Sequence, residues 1–244
     1  MRPGWDLRRS SDEQAPEYEK AKRSRPFLPE HFPGYDIYVH IDADAWVQDW
    51  SAIDLLVQAA STGALAIAPE VDRAYPAFDT KLKIERILGI PYRISSSGWR
   101  RLKDIHGRQI ADRLVDQPTL NCGVFALAAS APHWQAWREQ YQLALERSRR
   151  SPLDQLTLEY VTYGLQMPAE LLPATCNWVA HRATPKYDGS RGRLVEPYLP
   201  HRDIGILHLT LGTKDEEKEI QTLDGDTITS TLRSSGAWRT GRAG

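Results

Sequence analysis

Cysteine is scarce in this sequence: there are two in 244 residues, Cys122 and Cys176. That is too few for a zinc ribbon or a disulfide framework, and it leaves one disulfide or two reduced, partly buried thiols, with reduced thiols the expectation. Net charge is equally lacking, since 31 Lys and Arg against 32 Asp and Glu leave −1 at neutral pH. Proteins that grip duplex phosphates show a basic excess, so the balance gives no support for nucleic acid as a partner. No apolar run approaches the ~18 residues of a membrane span. The basic start, Met1 to Arg9, lacks the apolar core of a signal peptide, and the expected compartment is the cytoplasm. Phenylalanine is rare, four residues beside eight Trp. Trp46, Trp99 and Trp178 are therefore candidate stacking platforms, although packing is the commoner fate of an indole.

What is present is ordinary for a globular protein: 41% hydrophobic and 26% charged residues. One α/β domain is the simplest division. Residues 1–24 read as a poorly ordered segment, 25–220 as the domain, and 221–244, rich in Ser, Thr and Gly, as a flexible tail. Within the domain, Ile37, Val39 and Ile41 alternate with Tyr38 and His40 as in a strand. Ser51 and Asp54 form a capping box ahead of an apolar helix face, Ile53, Leu56, Val57 and Ala60. Ala64 to Ala68 reads as a buried strand, Lys81 to Leu88 as a short helix, and Gly89 to Gly98 as a loop. Trp99 to Val115 is charged and ambiguous. A strand over Val124 to Ala128 precedes a helix with Pro132 in its first turn and Trp134, Trp137, Tyr141, Ala144 and Leu145 on its apolar face. A further helix opens near Asp154. Pro173 to Arg202 reads as a long connection and Ile204 to Leu209 as the last strand. Strand, helix, strand in this order predicts a mixed, mostly parallel sheet flanked by helices.

The chemistry gathers at strand ends, where open α/β sheets place their ligands. Asp42 and Asp44 follow the first strand, and alternation in extended chain points both carboxylates one way. A hard divalent cation, Mn²⁺ or Mg²⁺, between them and a phosphate would offset their repulsion. The alternative is a turn in which both bond local amides. His208 ends the last strand, Gly212 allows close backbone approach to a ligand, and Lys214 offers a positive charge suited to a diphosphate.

Five motifs occur in an order that resembles the GT-A glycosyltransferases, most closely glycosyltransferase family 8 and its relatives. They are His40-Ile41-Asp42-Ala43-Asp44-Ala45-Trp46-Val47, Asn121-Cys122-Gly123-Val124-Phe125, Asp154-Gln155, Asn177-Trp178, and His208 with Gly212 and Lys214. The likeness runs from Arg25 to Lys214. It implies a GT-A-like fold and transfer of a sugar, with retention, from a nucleotide-sugar, commonly a UDP-sugar, to a hydroxyl acceptor. It further implies Asp42, Asp44 and His208 as metal ligands, with Asp42 also touching the donor. Asn121 and Gly123 would line the sugar site, and Asp154 and Gln155 would lie beside the transferred sugar. Arg25, Gly212 and Lys214 would contact the donor.

The residues keep other readings open. Asp154 also completes a capping box with Ser151, Asn121 also suits a turn, and Arg25 also belongs to a charge run typical of a solvated face. The family's last motif reads His-x-x-Gly-x-x-Lys-Pro-Trp, whereas Gly212 stands four after His208 and Lys214 is followed by Asp215 and Glu216. Family members carry two or three strand–helix units before the Asp-x-Asp strand, and only 41 residues precede Asp42 here, so an N-terminally shortened fold is expected. Two other functions remain. One is a catalytically incomplete remnant acting through a homo-oligomer or partner chain. The other is a haloacid-dehalogenase-type phosphatase, for which Trp46 stands where a small residue belongs.

Overall fold

The structure is a computed structural model, which describes residues 17–75, 83–88, 90–95, 97–148 and 153–233. The chain opens with helix α1 (Glu17–Ser24), which contains neither Gly nor Pro and carries Lys22 and Arg23 in its last turn, where they complement the helix dipole. Its place is the end of the segment expected to be poorly ordered. Pro26 tightens the chain into a 3₁₀ turn (Arg25–Phe27), followed by the one-turn helix α2 (Leu28–His31).

Strand β1 (Ile37–Ile41), β2 (Ala45–Val47), helix α3 (Ser51–Ser61) and β3 (Leu65–Pro69) come next. The cap of α3 differs from the expected Ser51–Asp54 box: the Ser51 amide donates to Asp49 Oδ1 at 2.9 Å, so the residue two positions upstream supplies the acceptor. Strands β4 (Lys83–Ile87) and β5 (Ile90–Ser95) form a hairpin where a helix and a loop were expected. Its turn contains Leu88 at φ 51°. The ambiguous charged stretch folds as α4 (Ser97–His106) and α5 (Arg108–Leu114), and β6 (Leu120–Ala128) follows. Helix α6 (His133–Arg147) has Pro132 at its N-cap and buries Trp134, Trp137, Tyr141 and Ala144, while Leu145 is exposed. Helix α7 (Leu153–Glu159) runs into a π-helical turn (Tyr160–Gly164).

The main sheet has the order β1-β6-β3-β7, where β7 is Ala169–Leu171. Here the expectation of mostly parallel strands is corrected. Central β6 runs antiparallel to both β1 and β3, and only β3 and β7 are parallel. A strand buried on both faces reads as the same apolar run in either direction, so its hydrophobicity carries no polarity. Phe125 and Leu127 of β6 pack with Trp134, Trp137, Leu158 and Val161 on one face. Val124 and Ala126 pack with Leu56, Ala60 and Ile206 on the other. The result is a sheet between helical layers, each fully buried large side chain contributing about 1.5–3 kcal/mol.

The stretch from 173 to 202 is more structured than a plain connection. It holds a 3₁₀ turn (Ala174–Cys176), β8 (Trp178–Val179), β9 (Lys186–Asp188) and β10 (Arg193–Val195). Strand β11 (Ile206–His208) lies between β2 and β8 in a second sheet, antiparallel to the first and parallel to the second. It is not the last strand. Strands β12 (Glu217–Gln221) and β13 (Thr227–Thr231) form a hairpin that buries Ile220 and Ile228, and Leu232 behind it is fully buried. The tail expected to begin at residue 221 is therefore docked as far as 233, and the Trp46 indole N–H donates to Leu232 O at 2.9 Å. Thr-rich alternation suits a pleated strand, although it carries little apolar signal. Among the described residues no helix is long and apolar enough to cross a membrane.

Candidate metal centre

The candidate centre lies at the seam between the two sheets. After Ile41 the chain leaves the main sheet through a turn at Ala43 and Asp44, then enters the second sheet as β2. Three backbone hydrogen bonds fix this turn: Asp42 N to Gly123 O (2.8 Å), Ala45 N to Asp42 O (2.9 Å) and Leu209 N to Asp44 O (2.8 Å). A turn, rather than the extended alternation read from sequence, brings the two carboxylates together. His208, at the end of β11, pairs with Ala45 on one side and Val179 on the other. Its Nε2 lies 3.2 Å from Asp44 Oδ1 and 3.9 Å from Asp42 Oδ2. One ligand atom from each of Asp42, Asp44 and His208 falls within 4.8 Å of the others.

The three side chains differ in access. His208 is 3% exposed, Asp42 24% and Asp44 36%, so the imidazole forms the floor and the carboxylates the open side. Burial pushes the Asp42 carboxyl up, but hydrogen bonding to His40 and the Arg25 guanidinium outweigh it and hold it below the ordinary carboxylate range. The hydrogen bond with His208 holds Asp44 low as well, against burial and the neighbouring Asp42 charge. Both carboxylates are thus anionic at neutral pH, the form in which they ligate a cation.

Gly123 explains how β6 can pass beneath this cluster. A Cβ there would collide with the His208 ring and stand 2.9 Å from Asp42 Oδ2 and 3.0 Å from Asn121 Oδ1. The position has room for a hydrogen alone.

A second group of charges adjoins the first. Arg25, 6% exposed, makes ion pairs with Asp42 and with Asp154, which is 1% exposed. Its Nη1 also lies 3.2 Å from Cys122 Sγ, and its Nε lies 3.1 Å from His40 Nε2. That same His40 nitrogen stands 2.9 Å from Asp42 Oδ1, and the ring stacks on Phe125. Arg25 is therefore no part of a solvated face. Burial pushes its pKa down, and the surrounding acids more than reverse this, keeping the guanidinium charged. The Cys122 thiol is pushed up by burial and by the Asp154 charge; it stays protonated and donates toward Asp154 Oδ2 at 3.4 Å. Cys176 is also free and buried, in line with two reduced thiols.

The capping reading of Asp154 involves Ser151, which lies outside the described residues. The carboxylate itself is engaged by Arg25 and Cys122 through Oδ2, while Oδ1 is buried with no hydrogen-bond partner among the described residues. Gln155 is the next residue on α7 and is half-buried. Asn121 is buried, with its amide engaged by protein at both ends, so it braces the site from behind. Gly212 sits in an exposed loop at φ 83° with nothing within 4 Å of its Cβ position, so backbone conformation is what the glycine permits there. Lys214 is exposed; its carbonyl accepts from Arg233 Nε at 2.6 Å, and among the described residues no ion pair joins its ammonium to Asp42 or Asp44. The structure thus brings Arg25, Asp42, Asp44, Gly123, Asp154 and His208 together and leaves Lys214 without such a contact.

Sequence reasoning assigned no role to Glu70 or Arg182, quoted Asn177 only as part of a motif, and read His40 as a bonded strand histidine rather than a ligand, which its contacts with Asp42 and Phe125 match. Glu70 follows β3 as Asp42 follows β1, so the strand-end rule that singled out Asp42 applies to it equally. It accepts from Asn121 Nδ2 at 2.8 Å and from Arg182. Of the candidate platforms, Trp178 is fully buried with its N–H on Ala183 O, Trp46 bonds Leu232 O, and Trp99 bonds Asp112 Oδ1. All three indoles are anchored to the protein. Compared with known proteins, the chain matches no family model and no curated sequence.

Proposed function

We propose that this chain is a metal-dependent glycosyltransferase domain of GT-A type. It moves a sugar from a nucleotide-sugar, with a UDP-sugar the first candidate, to a hydroxyl acceptor with retention. The observation that carries the reading is the meeting of Asp42, Asp44 and His208 at the seam of two sheets, next to the buried Arg25–Asp154 pair. Two carboxylate oxygens and one imidazole nitrogen form a donor set that fits Mn²⁺ or Mg²⁺. A cation held there supplies Lewis-acid neutralisation of the charge that develops on the departing nucleoside diphosphate.

The chain's own residues would do the rest. Arg25 keeps a permanent positive charge at the buried end of the site. Asp154 Oδ1 is a buried acceptor without a partner among the described residues, a costly arrangement that a sugar hydroxyl would relieve. In the transfer the bond from the anomeric carbon to the diphosphate oxygen breaks and a bond to the acceptor oxygen forms. The acceptor's proton leaves with the nucleoside diphosphate. The irregular stretch from 173 to 202 is the proposed acceptor side.

A panel of nucleotide-sugars with and without Mn²⁺ tests this by thermal shift. A ligand at a hundredfold excess over Kd stabilises by about 2.7 kcal/mol. A shift that requires both Mn²⁺ and one donor, and that disappears in Asp44→Ala, is the expected result. No shift with any donor would sink the reading. One observation favours a second reading, a binding domain that acts through a partner strand. β1 is the edge of its sheet, so its alternate backbone groups face away from β6 with no strand partner among the described residues. Micromolar donor affinity in the isolated chain would exclude it.

A further inference from the structure

Behind His208 runs a chain of hydrogen bonds in which each side chain has one chemically possible orientation. Arg182 has only donors, and its Nε and Nη2 reach Glu70 Oε2, the former at 3.1 Å. Glu70 Oε1 accepts from Asn121 Nδ2 at 2.8 Å. Asn121 Oδ1 accepts from the Gly123 amide at 3.0 Å, and a backbone N–H can only donate. Asn177 Nδ2 lies 3.3 Å from Asn121 O and 3.3 Å from Asn121 Oδ1. A backbone carbonyl can only accept, so the amide nitrogen of Asn177 must face it. The Asn177 oxygen is thereby turned to His208 Nδ1, at 3.0 Å. An oxygen there requires Nδ1 to carry the ring proton. Nε2 is then the ring nitrogen left facing Asp42 and Asp44, the atom that lies 3.2 Å from Asp44 Oδ1 and would ligate a cation held there.

We propose that Asn177 is a positioning residue for the centre. By accepting from the Nδ1–H of His208 it turns Nε2 toward the two carboxylates, and Arg182, Glu70 and Asn121 hold it in the one orientation that does so. This rests on the metal reading of Asp42, Asp44 and His208. The four supporting residues are buried or half-buried, Asn177 at 2% and Asn121 at 7% exposure, so water does not substitute freely for any link. Residues that orient a metal-bound imidazole typically change metal affinity by about 10–100-fold when removed.

The test uses ¹⁵N-labelled full chain treated with chelator, at pH 8, with long-range ¹H–¹⁵N spectra assigned by comparison with His208→Gln. A proton on His208 Nδ1, whether or not Nε2 also carries one, is the expected result. In Asn177→Leu a mixture or the Nε2–H form should appear, and Mn²⁺ affinity, read from the free-ion EPR signal, should fall by about 10–100-fold. Glu70→Gln, at the far end of the chain, should give a smaller loss in the same direction. A wild-type His208 in the Nε2–H form overturns the proposal, and this readout stands even if Asn177→Leu does not fold. A folded Asn177→Leu with unchanged tautomer and unchanged Mn²⁺ affinity overturns it equally. The Nδ1–H form in a wild-type protein that binds no Mn²⁺ would support the orienting role of Asn177 and overturn the metal reading alone.

Discussion

Two clusters of opposite charge in this molecule are built to different rules. One is the inner group of Arg25, Asp42, Asp154, Asp44 and His208, buried except at Asp42 and Asp44; the other joins Arg191 and Arg193 to Asp49, Asp188 and Asp203. In the second, Arg191 is exposed and Arg193 half-buried, and each bridges two carboxylates, at 2.6 Å and 2.6 Å for Arg191 and 2.7 Å and 2.9 Å for Arg193. Three of its four ion pairs are short in sequence, Arg193–Asp49 being the long one, and Asp188 also accepts from Ser190 and Arg191 amides in its own turn. In the first, Arg25 and Asp154 are nearly inaccessible, the partners come from distant segments, and one oxygen of Asp154 has no partner among the described residues. Charge balance at a surface tolerates loss of any one member because water replaces it. In the interior each charge depends on its partner, so an interior cluster with a surplus of acid and an unused acceptor has the construction of a binding site.

The sharpest way to break this contrast is to remove one arginine from each cluster. Arg25→Ala leaves buried Asp154 without its counter-charge and should cost about 3–5 kcal/mol, read as the shift in urea unfolding free energy. An Arg25→Ala protein as stable as the parent would show that Asp154 is neutral and that the interior cluster is no ion pair. Gly123→Ala comes next. The added methyl group meets His208 and Asp42, and such overpacking costs typically about 1–3 kcal/mol. It should also reduce Mn²⁺ binding, because the methyl group displaces a ligand; unaltered binding by titration would mean that β6 does not set the ligand geometry. Arg193→Ala should have the smallest effect, within about 1 kcal/mol by the same unfolding measurement and unchanged in Mn²⁺ binding. A loss as large as that of Arg25→Ala would erase the distinction between the two clusters.

Sequence and structure agree best where a local pattern meets a local cause. The alternation of Ile37, Val39 and Ile41 marks β1, and the position of Asp42 and Asp44 after it marks the centre. His208 was found by the same rule from the far end of the chain. Antiparallel β6 was not legible, because a run such as Val124-Phe125-Ala126-Leu127 has no direction. The β4–β5 hairpin was hidden behind Leu82, Ile87 and Leu88, which read as the apolar residues of a short helix, and the β12–β13 hairpin behind charged residues, Thr and Ser. The bracing of His208 lay furthest from view. Glu70, Asn121, Asn177 and Arg182 are scattered over nearly half the chain, and no spacing rule relates them. Only the requirement that buried amides be satisfied ties them together, and that requirement acts in three dimensions.

The turn at Ala43 and Asp44, which carries the chain from one sheet to the other, has a consequence for folding. Two ligands stand near the front of the chain and the third near its back, so an ion held between them would close a loop of roughly 160 residues. It would act as a reversible rivet between two sheets that share no strand. The cation would then slow their separation and shield the intervening chain from proteases. After a single cut in that loop, β2–β11 pairing would still hold His208 beside Ala45, and the cation would add to that retention.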